Sequence, residues 1–272
     1  MIPQFIIIGA MKSGTSSLYH YLGSHPEIGP SAPKETDFFV AEKNRQAKTV
    51  RNYERYFPKD TKYVFEASTN YSKRHLFPGV PERIHELVPE AKLIYVVRDP
   101  IERAVSNYVH NVAAGRENRG LSSAVRRENS SYLLTGCYFY QLQAFLRCFD
   151  EKQILLVESE KLRKQTASAV EAVFDFLEIP PRYDPSLLKK KHHQSSNKMR
   201  LSRIDRAVHR HVRNPLLRAA IKRVVPRRLR APVSFERPHL TDADRTFLKE
   251  KLSPDVEKLR SFSGMSFSNW SL

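Results

Sequence analysis

Phe5-Ile6-Ile7-Ile8-Gly9-Ala10-Met11-Lys12-Ser13-Gly14-Thr15-Ser16-Ser17 decides how this chain is read. Residues 5–9 are an apolar, β-branched run of strand length, followed by a turn of small and hydroxyl residues with one lysine. Leu18, Tyr21 and Leu22 then recur at helical spacing, so a helix is expected over 14–23. A strand feeding a Gly-containing turn and a helix N-terminus makes an anion cradle. The first-turn amides have no intrahelical acceptor, and the helix dipole favours negative charge beside them. Lys12 adds a cation, and Thr15 and Ser16 add hydroxyl donors. The ligand expected here carries a phosphate or a group like it.

A second stretch repeats the logic. Lys92-Leu93-Ile94-Tyr95-Val96-Val97 reads as a buried strand and runs into Arg98-Asp99-Pro100. Proline suits the first turn of a helix, and a helix is expected over 101–114. Arg98 at the strand tip is a forked donor for an oxyanion. Ser106, two helical turns beyond the proline, is the expected second contact to the same phosphate.

The first turn resembles a P-loop but departs from it. A nucleotide triphosphatase loop reads G-x-x-x-x-G-K-[ST], with lysine after the second glycine. Here Lys12 precedes Gly14, and no Lys-Ser/Thr pair follows to hold Mg²⁺. The two motifs together resemble those of sulfotransferases that use 3′-phosphoadenosine 5′-phosphosulfate (PAPS). That family has K-x-G-T-[ST] after its first strand and R-[DN]-P-x-x-R-x-x-S after a later one. This chain has Lys12-Ser13-Gly14-Thr15-Ser16 and Arg98-Asp99-Pro100-x-x-Arg103-x-x-Ser106. The likeness is greatest to the heparan sulfate 3-O- and N-sulfotransferase branch and its bacterial relatives. It extends to Lys34-Glu35-Thr36-Asp37-Phe38-Phe39, Val80-Pro81-Glu82-Arg83-Ile84, Tyr138 ahead of Gln141–Phe149, and Phe267-Ser268-Asn269-Trp270. It covers most of the chain except roughly residues 185–235.

The resemblance implies a sulfotransferase fold: one α/β domain spanning 1–272, with a central parallel sheet flanked by helices and a basic helical insertion or lid at about 185–235. It implies PAPS as donor, the bisphosphate PAP as product and no required metal. By the same route Lys12, Ser13, Gly14, Thr15 and Ser16 hold the 5′-phosphosulfate, Arg98 and Ser106 the 3′-phosphate, and Tyr138 and Arg237 contact the nucleotide. Lys12 is the expected stabiliser of the leaving oxygen, and Glu35 the expected general base. His20 and His25 lie near Glu35 in sequence and are its rivals as base; His25-Pro26 falls where the helix should stop and is read as structural.

Two departures stand out. The branch has a Glu-Lys-[ST]-x-x-Tyr stretch whose lysine serves the active site, and here Ala67 replaces it in Glu66-Ala67-Ser68-Thr69-Asn70-Tyr71. Glu66 and Lys73 are the substitutes to consider. Near the C-terminus, Glu236-Arg237-Pro238-His239 resembles a Gly-Arg-x-His phosphate loop without its glycine. Asn197-Lys198-Met199-Arg200 is a rival for that lid.

Charge bounds the partners. The 272 residues carry 46 Lys and Arg against 29 Asp and Glu, a net charge of +17. Between Arg182 and Arg237 there are seventeen basic and three acidic residues, a local excess of +14. Such a stretch suits a polyanionic acceptor or an anionic membrane surface. Ile204, Val208, Val212, Leu216, Leu217, Ile221, Val224 and Val225 recur at three- and four-residue spacing around Pro215, as in two amphipathic helices with arginine-rich faces. Peripheral membrane contact through 200–230 is one reading, and a solvated basic face is the other. Nucleic acid is not expected, because no aromatic platform accompanies the charge.

Cys137 and Cys148 fall on what reads as one helix, 136–149. They would lie roughly 16 Å apart and stay reduced. His192-His193 is an adjacent pair without metal-ligand spacing. With no leader or membrane span recognised, a cytoplasmic protein is expected. Further strands are expected at 62–66 and 153–157, and helices at 80–88, 167–178 and 241–260. Polar connections at 41–60 and 116–131 are expected to shape an acceptor cleft for a glycan or small molecule. Oligomeric state is not legible. A P-loop kinase or nucleotide hydrolase, and a non-catalytic polyanion binder, are the alternative readings.

Overall fold

The computed structural model of the chain describes residues 1–40, 47–182, 212 and 237–272. The basic helices expected within 204–225, the rival lid at Asn197–Arg200 and the His192-His193 pair lie outside the described residues.

Five parallel strands form one sheet in the order β2-β3-β1-β4-β5: β1 Phe5–Gly9, β2 Ile28–Pro30, β3 Tyr63–Ala67, β4 Lys92–Val97 and β5 Ile154–Glu158. β1 sits at the centre, with Phe5 level with Phe65 of β3 and Lys92 of β4. Period-two alternation divides the strands between two cores. Phe5, Ile7, Ile94 and Val96 face a layer made by α1 (Thr15–Leu22) and, beyond the last strand, α8 (Ser159–Lys164) and α9 (Thr166–Leu177). Ile6, Ile8, Leu93, Tyr95 and Val97 face the opposite layer, which holds α3 (Val80–Leu87), α7 (Tyr138–Phe145) and the long C-terminal α10 (Asp242–Ser263). Burial on both faces explains why β1 and β4 read as continuous apolar runs.

The strands expected at 5–9 and 92–97 are where the sequence placed them, and those at 62–66 and 153–157 each sit one residue later. β2 escaped notice because it is three residues long and contains Gly29 and Pro30; proline is tolerated there because β2 is an edge strand. The connections at 41–60 and 116–131 carry helices of their own: α2 Ala47–Glu54, α5 Leu121–Val125 and α6 Ser131–Leu134. Polar composition concealed them, although Leu121, Ala124 and Val125 pack against α4 (Pro100–Ala113). The helix expected over 136–149 is shorter. Cys137 precedes α7 and Cys148 follows its end, and both are free and partly buried. His25 is structural: its Nε2 lies 3.0 Å from the Pro180 carbonyl, and its Nδ1 accepts from the Glu27 amide.

Candidate active site

The carboxyl ends of β1, β3 and β4 converge, the edge at which open parallel sheets bind ligands. The turn from β1 into α1 is built on unusual backbone. Gly9, Lys12 and Gly14 have φ of 153°, 73° and 101°. Gly9 also admits no side chain, since a Cβ there would fall 1.9 Å from the Ser72 hydroxyl. The Gly14 carbonyl takes the amides of Ser17 and Leu18, so the N-terminus of α1 opens onto the turn. Thr15 is buried, Ser16 and Lys12 are partly exposed, and Gly14 is exposed. The Ser13 hydroxyl is buried beside that of Tyr138.

The second motif meets the first. An Arg98 Nη1 donates to the Lys12 carbonyl at 3.4 Å. Asp99 caps α4, accepting from the amides of Ile101 and Glu102 and, through its second oxygen, from the Ser271 amide at 2.6 Å. Ser106 is buried on the same helix. Arg103 is fully buried at 0% exposure, donating to Asn107 Oδ1 at 3.2 Å and to the Tyr132 carbonyl. No carboxylate oxygen among the described residues is recorded within 4 Å of it. Tyr138 is also fully buried; its hydroxyl donates to the Arg98 carbonyl at 2.7 Å and faces Ser13. It therefore braces both anion turns from behind. Arg237 arrives from the far end of the chain. It donates to Glu102 Oε2 at 3.3 Å, and the same oxygen lies 3.8 Å from an Arg98 nitrogen.

Across the turn lies the segment carrying Glu35. Its carboxylate is 42% exposed. One oxygen accepts from Lys34 Nζ at 3.1 Å and the other from the Thr69 hydroxyl at 3.3 Å. Lys34 Nζ also donates to Thr15 Oγ1 and to the Ala67 carbonyl, each at 3.4 Å. One lysine thus ties the candidate base to the turn between β1 and α1. His20 is exposed on α1, its ring against Tyr19.

Glu66 does not serve as a substitute site group. It is fully buried and accepts hydroxyl donors from Tyr53 at 2.5 Å, Ser68 at 2.8 Å, Tyr71 at 2.9 Å and Thr36. Burial pushes its pKa up and the four hydroxyls oppose that. With its lone pairs so occupied it anchors the Glu35 segment and reaches no substrate.

Three groups that sequence reasoning passed over or mentioned only in passing form a chain. Asp37 accepts from Asn70 Nδ2 at 2.9 Å, and Asn70 Oδ1 accepts from Lys73 Nζ at 2.7 Å. Burial raises the Asp37 pKa, Asn70 opposes this, and the nearby Glu35 adds to it. Lys73 Nζ also lies 3.2 Å from Met11 Sδ, in the turn between β1 and α1. The only signal in the sequence was a second carboxylate two residues after Glu35. Residues 116–131 border a cavity of about 510 Å³, walled by Asn107, Asn111, Arg116, Glu117, Arg119 and Tyr132. Among the described residues no group of His, Cys, Asp and Glu side chains is placed to hold a metal ion.

The sulfotransferase domain family matches residues 2–223. Mouse bifunctional heparan sulfate N-deacetylase/N-sulfotransferase 4 is 31% identical over 211 residues, 68% of this chain and 23% of that protein. Human bifunctional heparan sulfate N-deacetylase/N-sulfotransferase 3 is 30% identical over 210 residues, with the same shares. The chain thus spans under a quarter of the length of these curated relatives. Among solved structures, a sulfotransferase from Alicyclobacillus acidocaldarius superposes with a TM-score of 0.70 at 22% identity, covering 100% of both chains. A mouse sulfotransferase complexed with PAP superposes at 0.55 and 13% identity, covering 96% of this chain and 88% of that one.

Proposed function

Since the chain belongs to the sulfotransferase family, we propose that it moves a sulfuryl group from PAPS to a hydroxyl or amine of an acceptor by in-line displacement. The observation that carries this reading is the meeting of two separate anion sites, the Lys12 turn and the Arg98–Arg237 pair, at one sheet edge. Two such sites suit a nucleotide charged at both ends better than a plain nucleoside monophosphate. The residues fit the donor: a left-handed turn opening on a helix N-terminus, with the buried Ser13 hydroxyl in it and Lys12 beside it, favours an anion.

PAPS when bound supplies an activated sulfuryl group and a phosphate leaving group. The chain's part is positioning and charge. Lys12, Ser13, Gly14, Thr15 and Ser16 hold the 5′ end, and Arg98, Ser106 and Arg237 hold the 3′-phosphate, with Tyr138 bracing both turns. Lys12 neutralises the charge that grows on the leaving oxygen, the largest kind of contribution available to such a site. Glu35 takes the acceptor's proton at a carboxylate oxygen; Lys34 and Thr69 hold it in place. A glycan or small-molecule acceptor enters from the side of the residues 116–131 cavity, whose lining mixes Arg116, Arg119 and Arg127 with Glu117, Glu128 and neutral polar side chains.

Calorimetry with PAP and AMP tests the donor site: PAP should bind at least tenfold more tightly, and equal affinities would discard the two-site picture. A screen of glycans and small molecules with radiolabelled PAPS tests transfer and identifies the acceptor. Lys12→Ala should abolish label incorporation without changing the melting temperature.

A further inference from the structure

Lys73 is a lysine in a place that lysines avoid. It is 8% exposed, and its two recorded partners are both uncharged: Asn70 Oδ1 at 2.7 Å and Met11 Sδ at 3.2 Å. Among the described residues no carboxylate oxygen is recorded within 4 Å of its nitrogen. A buried cation without a counter-ion is costly, and chains keep one where an anion arrives to complete it. The thioether it touches belongs to Met11, the neighbour of Lys12 in the turn assigned to the phosphosulfate. On the other side, Asn70 links it to Asp37, beside the candidate base Glu35. Lys73 therefore stands between the donor turn and the acceptor carboxylates, where the transferring group must pass.

We propose that Lys73 contacts the donor's sulfuryl oxygens, completing the cradle from the acceptor side. This rests on the PAPS-dependent reading above. The charges around it agree. Burial lowers its pKa to about 8, with Arg103 and Arg116 adding to the effect and Glu35 and Asp37 opposing it. His75 lies close enough for Lys73 and Arg103 to depress its own pKa to about 4, although burial is the larger cause. Burial is the largest cause of that depression, and an incoming sulfonate relieves it by giving the ammonium a counter-ion. Asn70 fixes the ammonium so that little side-chain freedom is lost on binding.

The contact is made to the group that distinguishes PAPS from PAP, so the test is differential binding and needs no acceptor. Calorimetry of wild type, Lys73→Met and Lys73→Arg is run with PAPS, PAP and AMP. Lys73→Met should weaken PAPS at least tenfold and leave PAP within twofold; Lys73→Arg should restore most of the loss. Wild-type affinity for PAPS should fall as pH rises from 7 to 9.5 while affinity for PAP follows a flatter course, and Lys73→Met should abolish the difference. Equal weakening of PAPS and PAP, or no weakening of either, would overturn the assignment and leave Lys73 a structural residue. A wild-type protein that does not prefer PAP to AMP would overturn the donor reading itself, and Lys73 with it. If Lys73→Met fails to fold, Lys73→Gln at the same two pH values gives the same comparison.

Discussion

The Arg98 guanidinium donates to the Lys12 carbonyl at 3.4 Å, so the arginine proposed for one end of the donor also holds the turn proposed for the other. The two anion sites are mechanically one. Arg98→Ala should therefore weaken not only PAP but also AMP, which lacks the 3′-phosphate. Loss of charge-assisted bonds worth roughly 1.5–3 kcal/mol predicts about a 10- to 100-fold loss for PAP, with a smaller loss for AMP. Arg98→Lys should recover little, because an ammonium cannot reach carbonyl and phosphate as a fork does. Calorimetry with both nucleotides checks this; an unchanged AMP affinity would separate the two turns.

Glu35→Gln probes the acceptor side. The side chain is well exposed, so the melting temperature should hold. Transfer to whichever acceptor the labelled-donor screen yields should fall by about 10²–10⁴ in kcat, the usual contribution of a general base. PAP affinity should stay within twofold. A large loss of PAP binding instead would mean that Glu35 acts by holding Lys34 against Thr15.

Glu66 makes the opposite prediction. Four buried or partly buried hydroxyls, on Thr36, Tyr53, Ser68 and Tyr71, converge on it. Glu66→Ala strands all four and should cost about 3–5 kcal/mol, a melting shift on the order of 10 °C. Glu66→Gln keeps one acceptor oxygen and should lose less than half of that. Thermal unfolding of both variants decides it. If Glu66→Ala melts like wild type while losing transfer, Glu66 is a site residue after all.

What could be read before the structure, and what could not, divides along a physical line. β1 and β4 were legible because burial on both faces forces continuous apolar runs. The turns that follow them, Lys12 through Ser16 and Arg98 through Pro100, were legible as turns because their residues lie in sequence order. Ile28–Pro30 was not legible, since three residues at a sheet edge carry no periodicity. Glu66 was misjudged because its role depends on Tyr53 and Tyr71 packing around it from α2 and from the turn after β3. The Arg237–Glu102 contact and the chain from Asp37 through Asn70 to Lys73 join residues distant in sequence, and only folding brings them together. The complete burial of Tyr138 behind the two turns was not legible, because it depends on packing from α7.

Tyr138→Phe isolates that bracing role. The change removes one hydroxyl that donates to the Arg98 carbonyl at 2.7 Å and leaves the ring packed against Tyr95 and Trp270. A stability loss of about 1 kcal/mol is expected. PAP affinity should fall by a few-fold, through looser placement of Arg98 and Ser13. A loss beyond 100-fold would instead indicate direct contact between the hydroxyl and the nucleotide.

The last prediction concerns stability against pH. Lys73 titrates at about 8 in the folded chain against 10.5 when exposed. Between those values the unfolded chain holds a proton that the folded chain has released, so unfolding takes up a proton and stability rises with pH. The sign is that of a lysine whose burial is a burden at neutral pH. The unliganded protein should gain up to ~3 kcal/mol from this group between pH 7 and 10, at 1.36 kcal/mol for each unit of displacement. Tyrosine and other lysine titrations overlap that window, so the comparison is with Lys73→Met. The variant should be more stable than wild type at pH 7, and the gap should close as pH approaches 10. Urea unfolding at three pH values measures it. A gap that stays constant with pH would place the Lys73 ammonium in water.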